Sequence, residues 1–144
     1  MIPTLRRLTI DDHAAILSLW QRAGLHSIRP EGRDSRSEFE KQFAGGQLAI
    51  GLEEDGRLIG VVIVTNDTRK GWINRLAIDP DYQRKGYGEQ LVHAAEDALH
   101  NAGIHLIAAF IEEGNAASLA LFEKLGYATH PKIVYVSKRD SADA

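Results

Sequence analysis

A strand, a glycine-containing loop, a long helix and a second strand follow one another over residues 72–111, and this order constrains the fold more than any other feature. The helix is predicted over "GYGEQLVHAAEDALHNAG", where Leu91, Ala95 and Leu99 share one face and Gly103 marks the end. The flanking runs "WINRLAID" and "HLIAAFI" are typical of strands. Strands connected through a helix lie parallel in one sheet. The chain is therefore expected to contain a β-α-β unit.

The rest of the sequence predicts further strands, including an antiparallel hairpin, and the remaining helices. The β-prone runs "QLAIGLEED" and "RLIGVVIVT" are separated by Asp55-Gly56, a dipeptide suited to a hairpin turn. A short strand in "TLRRLTI" and helices in "DDHAAILSLWQRAG" and "SRSEFEKQF" precede them. A helix in "NAASLALFEKLG", with Asn115 as N-cap and Gly126 just beyond its end, and a last strand in "KIVYVSK" complete the order. The predicted class is α/β, a mixed sheet covered by about four helices.

Composition limits the classes of protein. A chain of 144 residues with 44% hydrophobic residues suits one domain, expected over residues 1–138, followed by a small polar tail, 139–144, that is expected to fray. The formal net charge of −3 lacks the positive field of a dedicated nucleic-acid binder. The absence of cysteine excludes disulfides, thiolate metal sites and a cysteine nucleophile. Neither a signal peptide nor a membrane span is indicated, so a cytoplasmic protein is expected.

The loop before the long helix has a composition that suits phosphate binding. In "DYQRKGYGEQLV", Gly86 and Gly88 lie where the first amide groups of a helix lack partners and carry partial positive charge. An ordinary flexible connection is the alternative. The dinucleotide fingerprint fails because Leu91 occupies the place of its third glycine, and the order Lys85-Gly86 is the reverse of a P-loop.

A second motif adds a specific resemblance. The run L-A-I-D-P-D-Y-Q-R-K-G-Y-G is followed by a helix, a strand and N-x-x-S-x-x-L-F-E-K-L-G-Y. Together these motifs closely resemble the GNAT superfamily of acyl-CoA-dependent N-acyltransferases, with specific similarity over residues 72–128. The resemblance implies a GNAT fold, in which a central pair of parallel strands splays apart, and acetyl-CoA as cosubstrate without a metal.

The resemblance also implies roles for individual positions. Main-chain groups of Leu76, Ala77 and Ile78 would pair with the pantetheine arm between the parted strands, and an amide of that strand would polarise the thioester carbonyl. Asn115 would lie beside the pantetheine, although helix capping alone would explain an asparagine there. The pyrophosphate would be held by the loop, which consists of Gln83, Arg84, Lys85, Gly86, Tyr87 and Gly88.

One position departs from the family pattern. Phe122 stands where a tyrosine often donates a proton to the departing thiolate, and a phenyl ring has no proton to donate. Tyr87, Tyr127 and Tyr135 are candidate replacements, with a packing role favoured for Tyr127. The proton donor is left open.

The candidates for the general base and the acceptor site follow from where charged residues lie relative to the predicted strands and helices. Glu112 is the candidate base, acting through water beside Glu113 at the end of a strand, and two exposed charges are the alternative. Acceptor specificity in similar proteins resides in the first helices and their connecting loop. There, Arg29, Arg33 and Arg36 either grip an anionic substrate or belong to a mobile charged surface.

The expected activity is transfer of acetyl from acetyl-CoA directly to a primary amine of a small molecule, peptide or protein N-terminus. The chain needs no covalent intermediate because a thioester is already activated. The alternative is an acyl-CoA-binding module with little or no catalysis. Neither a nucleic acid nor a membrane is an expected partner, whereas a homodimer is allowed because similar proteins are often dimers.

Overall fold

The computed structural model describes residues 2–111 and 115–144. Its strands are β1 (Thr4–Arg7), β2 (Leu48–Glu54), β3 (Arg57–Asn66), β4 (Gly71–Ile78) and β5 (Ile107–Ala109). Its helices are α1 (His13–Arg22), α2 (Arg36–Ala44), α3 (Tyr87–Asn101) and α4 (Ala116–Lys124). The predicted order of elements is confirmed from β1 to α4.

The strands form one mixed sheet in chain order. Neighbouring strands from β1 to β4 pair antiparallel, and β5 pairs parallel with β4. The turn between β2 and β3 has positive φ at both Asp55 (52°) and Gly56 (77°). This backbone is the one that suits a two-residue hairpin, so the predicted turn is confirmed.

Helices cover both faces of the sheet. One hydrophobic core packs α3 and Phe122 of α4 against one face, and the other packs α1 and Phe39 of α2 against the opposite face. Consecutive residues of β3 are buried alternately in the two cores, which explains why its sequence is a continuous apolar run. The site described below is built at the edge of this sheet where α3 and α4 begin.

The predicted last strand, residues 132–138, is wrong. This segment pairs with no strand of the described residues, and Ile133, Val134, Tyr135 and Val136 are exposed. Its β-prone composition indicates a fit to a pleated surface rather than a fixed backbone state, and β5 offers an edge of only 3 residues. As a result the parallel pair β4–β5 closes one side of the sheet instead of lying in its centre.

The C-terminal tail, 139–144, was expected to fray, but it contacts the loop between α1 and α2. Arg29 Nε donates to the Ala142 carbonyl at 3.1 Å. A Cβ added at Gly32 would lie against the carbonyl of Asp143, so the two main chains approach closely.

Candidate functional site

Strands β4 and β5 part after three residue pairs. Their parallel pairing covers Gly71 to Ile73 on β4 and Ile107 to Ala109 on β5, whereas residues 74–78 of β4 have no β5 partner among the described residues. The predicted pantetheine positions Leu76, Ala77 and Ile78 all lie in this unpaired stretch. The predicted splayed pair is confirmed.

A β-bulge in β4 helps to separate the two strands. Val61 pairs with Ala77 and Ile63 with Asn74, so two residues of β4, Arg75 and Leu76, lie opposite one residue of β3. Arg75 has a φ of 50°, which few residues other than glycine adopt. A bulge bends its strand, and this one lies in the stretch of β4 that has no β5 partner among the described residues.

The loop before α3 presents unbonded amide groups. Arg84 and Gly86 have positive φ values of 65° and 81°, so two left-handed residues are separated by Lys85. Within the part of the chain that the structure describes, the amides of residues 84–88 donate to no protein acceptor, and Gly86 faces open space. Successive amides in such a conformation form a concave anion site, which we call the amide nest, residues 84–88. The side chain of Gln83 closes the loop by donating to the Ile78 carbonyl at 3.3 Å.

The glycine at position 88 serves packing. A Cβ there would lie 3.1 Å from Leu121 Cδ2 of α4, so Gly88 allows the start of α3 to approach α4 closely. The two helices that border the parted strands are held together at this point.

Asp79 anchors the turn that leads into the amide nest. Its side chain is almost fully buried, and it accepts hydrogen bonds from Arg22, Arg57 and the amide of Asp81 at 2.9–3.1 Å. Burial by itself raises the pKa of Asp79, but the Asp81 amide and the Arg22 guanidinium hold it below its ordinary value. The residue is therefore an anion that fixes the end of β4. No sequence motif predicts this role, because its partners Arg22 and Arg57 are distant along the chain.

A cavity of about 1100 Å³ opens beside the parted strands. It is lined by unpaired residues of β4, by residues 109–111, and by the loop between α1 and α2, and Asn115 and Phe122 of α4 border it. Asn115 also caps α4, since its Oδ1 accepts from the Ser118 amide at 3.2 Å. The capping prediction is confirmed, and the same residue borders the cavity.

The tyrosines divide into structural and cavity residues. Tyr127 Oη donates to Glu96 Oε2 at 2.7 Å, and its ring packs edge-on against Phe122. Burial and the hydrogen bond to Glu96 raise the pKa of Tyr127 well above its usual value. Tyr135 borders the cavity and packs against Phe110. The structure therefore supports a packing role for Tyr127 and brings Tyr135 to the site.

The fold and this geometry agree with the family comparison. Residues 13–127 match the acetyltransferase (GNAT) family. The chain belongs to that family. The resemblance seen in the two sequence motifs is thereby confirmed.

Relatives of this GNAT chain are acetyltransferases. It is 29% identical over 120 residues, 83% of each chain, to an acetyltransferase of Pectobacterium atrosepticum. It is 33% identical over 92 residues, 61% of this chain and 62% of the other, to the ribosomal protein bS18-alanine N-acetyltransferase of Escherichia coli. The fold matches that of PaiA N-acetyltransferase from Thermoplasma acidophilum, crystallised with coenzyme A, with a TM-score of 0.77 and 20% identity over 90% of this chain and 92% of that one. This GNAT protein is an acetyl-CoA-dependent N-acetyltransferase.

Glu112, the predicted base, lies outside the described residues, as does Glu113. Over residues 2–111 and 115–144 no three histidine, aspartate or glutamate side chains gather to hold a metal. No described helix has the length and hydropathy needed to cross a membrane.

Proposed function

We propose that this GNAT protein binds acetyl-CoA between β4 and β5, with its diphosphate on the amide nest, and transfers acetyl directly to a primary amine held in the cavity. The observation that carries the proposal is the parting of β4 from β5 directly before a loop of unbonded amides. Acetyl-CoA supplies an acetyl group already activated as a thioester. The protein supplies binding, orientation and proton transfer.

The unpaired stretch of β4 suits an extended arm. Residues 76–78 pair with no strand on the β5 side among the described residues, so an amide-containing arm can add to this edge like a strand. Gln83 fixes the last carbonyl of the strand, and Asn115 borders the same cavity. These contacts orient the thioester, and an amide of β4 polarises its carbonyl.

The amide nest suits a diphosphate. Its donors are main-chain groups without a protein acceptor among the described residues, the space beside Gly86 is open, and the side chains of Arg84 and Lys85 add positive charge. The first turn of α3 contributes the positive end of the helix dipole. Binding requires no side chain at position 86.

Proton transfer is assigned to two groups. Glu112 removes the proton from the attacking amine through water, since it follows the strand segment that borders the cavity. Tyr135 protonates the departing thiolate, because it is the one tyrosine among the described lining residues of the cavity and Phe122 has no hydroxyl. The cytoplasmic location, the homodimer and the domain limit at residue 138 stay predictions.

A two-step measurement tests the proposal. Calorimetric titration with acetyl-CoA is expected to show binding, and release of free thiol from acetyl-CoA is expected only when an amine acceptor from a panel of small amines and peptides is present. Binding without acceptor-dependent thiol would support the acyl-CoA-binding alternative. Absence of binding would contradict the assigned site.

A further inference from the structure

The lining of the cavity carries more positive than negative charge among the described residues. Three guanidinium groups line it, those of Arg33, Arg75 and Arg139, against one carboxylate among the described lining residues, that of Asp34. Arg75 holds this carboxylate with two hydrogen bonds of 2.5 and 3.1 Å. Arg33 Nε lies 4.0 Å from it, beyond hydrogen-bond distance. Arg33 Nη2 donates to the Ser27 carbonyl at 2.8 Å, and Arg139 Nη1 donates to the main-chain oxygen of Ala144. Neither guanidinium is therefore hydrogen-bonded to a carboxylate side chain of the described residues.

Buried donors without acceptors lie on the same wall. Two buried side-chain atoms lack a hydrogen-bond partner among the described residues, Trp20 Nε1 and Arg33 Nε, and both belong to residues that line this cavity. Buried donors are normally paired, so these two atoms show that the packing behind this part of the cavity leaves polar groups unsatisfied. The Arg33 side chain as a whole is 38% exposed, so its guanidinium is accessible to a ligand.

Electrostatics at Arg33 supports the same conclusion. Burial first, and then the charge of Arg75, lower the pKa of Arg33 despite the nearby Asp34, and the charges of Arg139 and Arg29 act in the same direction. A guanidinium under repulsion from like charges is stabilised by any anion placed among them. The diphosphate of acetyl-CoA does not fill this place, because the amide nest does not line the cavity.

We propose that the acceptor of this enzyme is a primary amine that also carries an anionic group, a carboxylate or a phosphate, and that Arg33 and Arg139 bind that group. The inference rests on the proposed function, since it names the substrate class of the same site. Guanidinium groups bind both anions through paired hydrogen bonds. Asp34 orients Arg75 and does not compete for the acceptor's charge.

The test uses four peptide amides with the same amino-terminal alanine. Alanyl-glutamate amide is compared with alanyl-glutamine amide, and alanyl-phosphoserine amide with alanyl-serine amide, so each pair differs at the anionic group and the reacting amine is shared. The kcat/KM of thiol release is expected to be about tenfold or more higher for the anionic member of at least one pair. The pair with the larger ratio distinguishes carboxylate from phosphate.

Variants connect the preference to the named residues. Arg139→Gln, at an exposed tail residue, and Arg33→Gln are expected to lower kcat/KM more for the anionic peptides than for the neutral ones, so that the ratio falls towards one. Arg36→Gln is the matched control, since Arg36 is an exposed arginine of the same region that does not line the cavity. An unchanged ratio in both cavity variants would overturn the inference.

The outcomes separate the inference from the proposed function. Equal kcat/KM within both pairs would overturn the anionic acceptor and leave acetyl transfer established. If no thiol is released, calorimetric titration of the same four peptides, with and without coenzyme A, decides the inference. Tighter binding of the anionic peptide of either pair supports the anionic acceptor. Equal binding of all four peptides, or no binding, overturns it. The missing transfer counts against the proposed function alone.

Discussion

Arg75 of the β4 bulge and Asp34 of the loop between α1 and α2 form a two-point ion pair across 41 positions of sequence. Asp34 also accepts from the Arg29 amide at 2.7 Å, and its carbonyl contacts His13 Nε2 at 2.8 Å. The guanidinium of Arg75 lies 4.7 Å from the Trp20 ring centroid. The left-handed residue that bends β4 thus also fastens the loop on the acceptor side of the cavity.

Breaking this pair should destabilise the fold. Arg75→Gln leaves a carboxylate with 3% exposure without its charged partner, so the free energy of unfolding is expected to fall by about 3 kcal/mol in urea denaturation. Arg36→Gln removes an arginine from an exposed pair with Glu40 and should cost less than about 1 kcal/mol. Equal losses of free energy of unfolding in the two variants would show that the Arg75–Asp34 pair stabilises the fold no more than an exposed pair does.

Asp79 predicts a stability that depends on pH. Because the pKa of Asp79 is lowered in the folded state, its contribution is fully present above the unfolded value of about 4 and is lost as pH falls through the folded value. Asp79→Asn should lower the free energy of unfolding by about 1–3 kcal/mol at neutral pH, and the difference from the native chain should shrink in acid. Asp81→Asn, at an exposed neighbour, is the control. A difference that stays constant down to about pH 2 would contradict the anionic role.

The amide nest predicts a selective loss of cosubstrate binding. Gly86→Glu places a side chain and a negative charge beside the unbonded amides, so the Kd for acetyl-CoA is expected to rise by at least about tenfold. Gly103→Glu is closely matched, since Gly103 follows the same helix with a φ of 83° and equally open surroundings. Calorimetry should show that the control binds normally. Comparable weakening by both changes would point to backbone strain rather than to the nest.

Two tyrosines predict opposite effects. Tyr127→Phe removes the hydrogen bond to Glu96 and is expected to lower the free energy of unfolding by about 1 kcal/mol with little change in kcat. Tyr135 is 68% exposed, so Tyr135→Phe should leave stability unchanged, and kcat should fall by about 10²-fold through loss of the proposed proton donor. Urea denaturation of the two variants measures the free energy of unfolding, and assays of thiol release with one acceptor measure kcat. Full activity of Tyr135→Phe would remove this role.

Glu112 predicts an effect that depends on the acceptor. At neutral pH an amine with a pKa of about 10.4 is almost wholly protonated, whereas one with a pKa of about 8 is roughly a tenth free base. Glu112→Gln is therefore expected to slow turnover of lysine-type amines more than that of α-amines. Parallel kcat measurements on one acceptor of each kind decide it. The same reduction for both would exclude Glu112 as the base.

Local signals were enough to predict the elements that need only near neighbours. The positive φ values at Asp55 and Gly56, the cap at Asn115 and the apolar face of α3 all depend on residues within a few positions of one another. The strand predicted around Ile133 was wrong because a strand needs a partner edge elsewhere in the fold, and local composition does not supply one.

The sequence by itself determined the order of strands and helices, the glycine loop before α3 and the family resemblance, since periodicity, turn residues and motif spacing are local along the chain. The tertiary structure alone decided that Arg75 adopts a left-handed backbone, that Asp34 and Asp79 become buried anions, and that an arginine-rich cavity opens beside the parted strands. These features join residues as far apart as Arg22 and Asp79. Their energies come from burial and charge pairing, which exist only once the sheet and helices have packed.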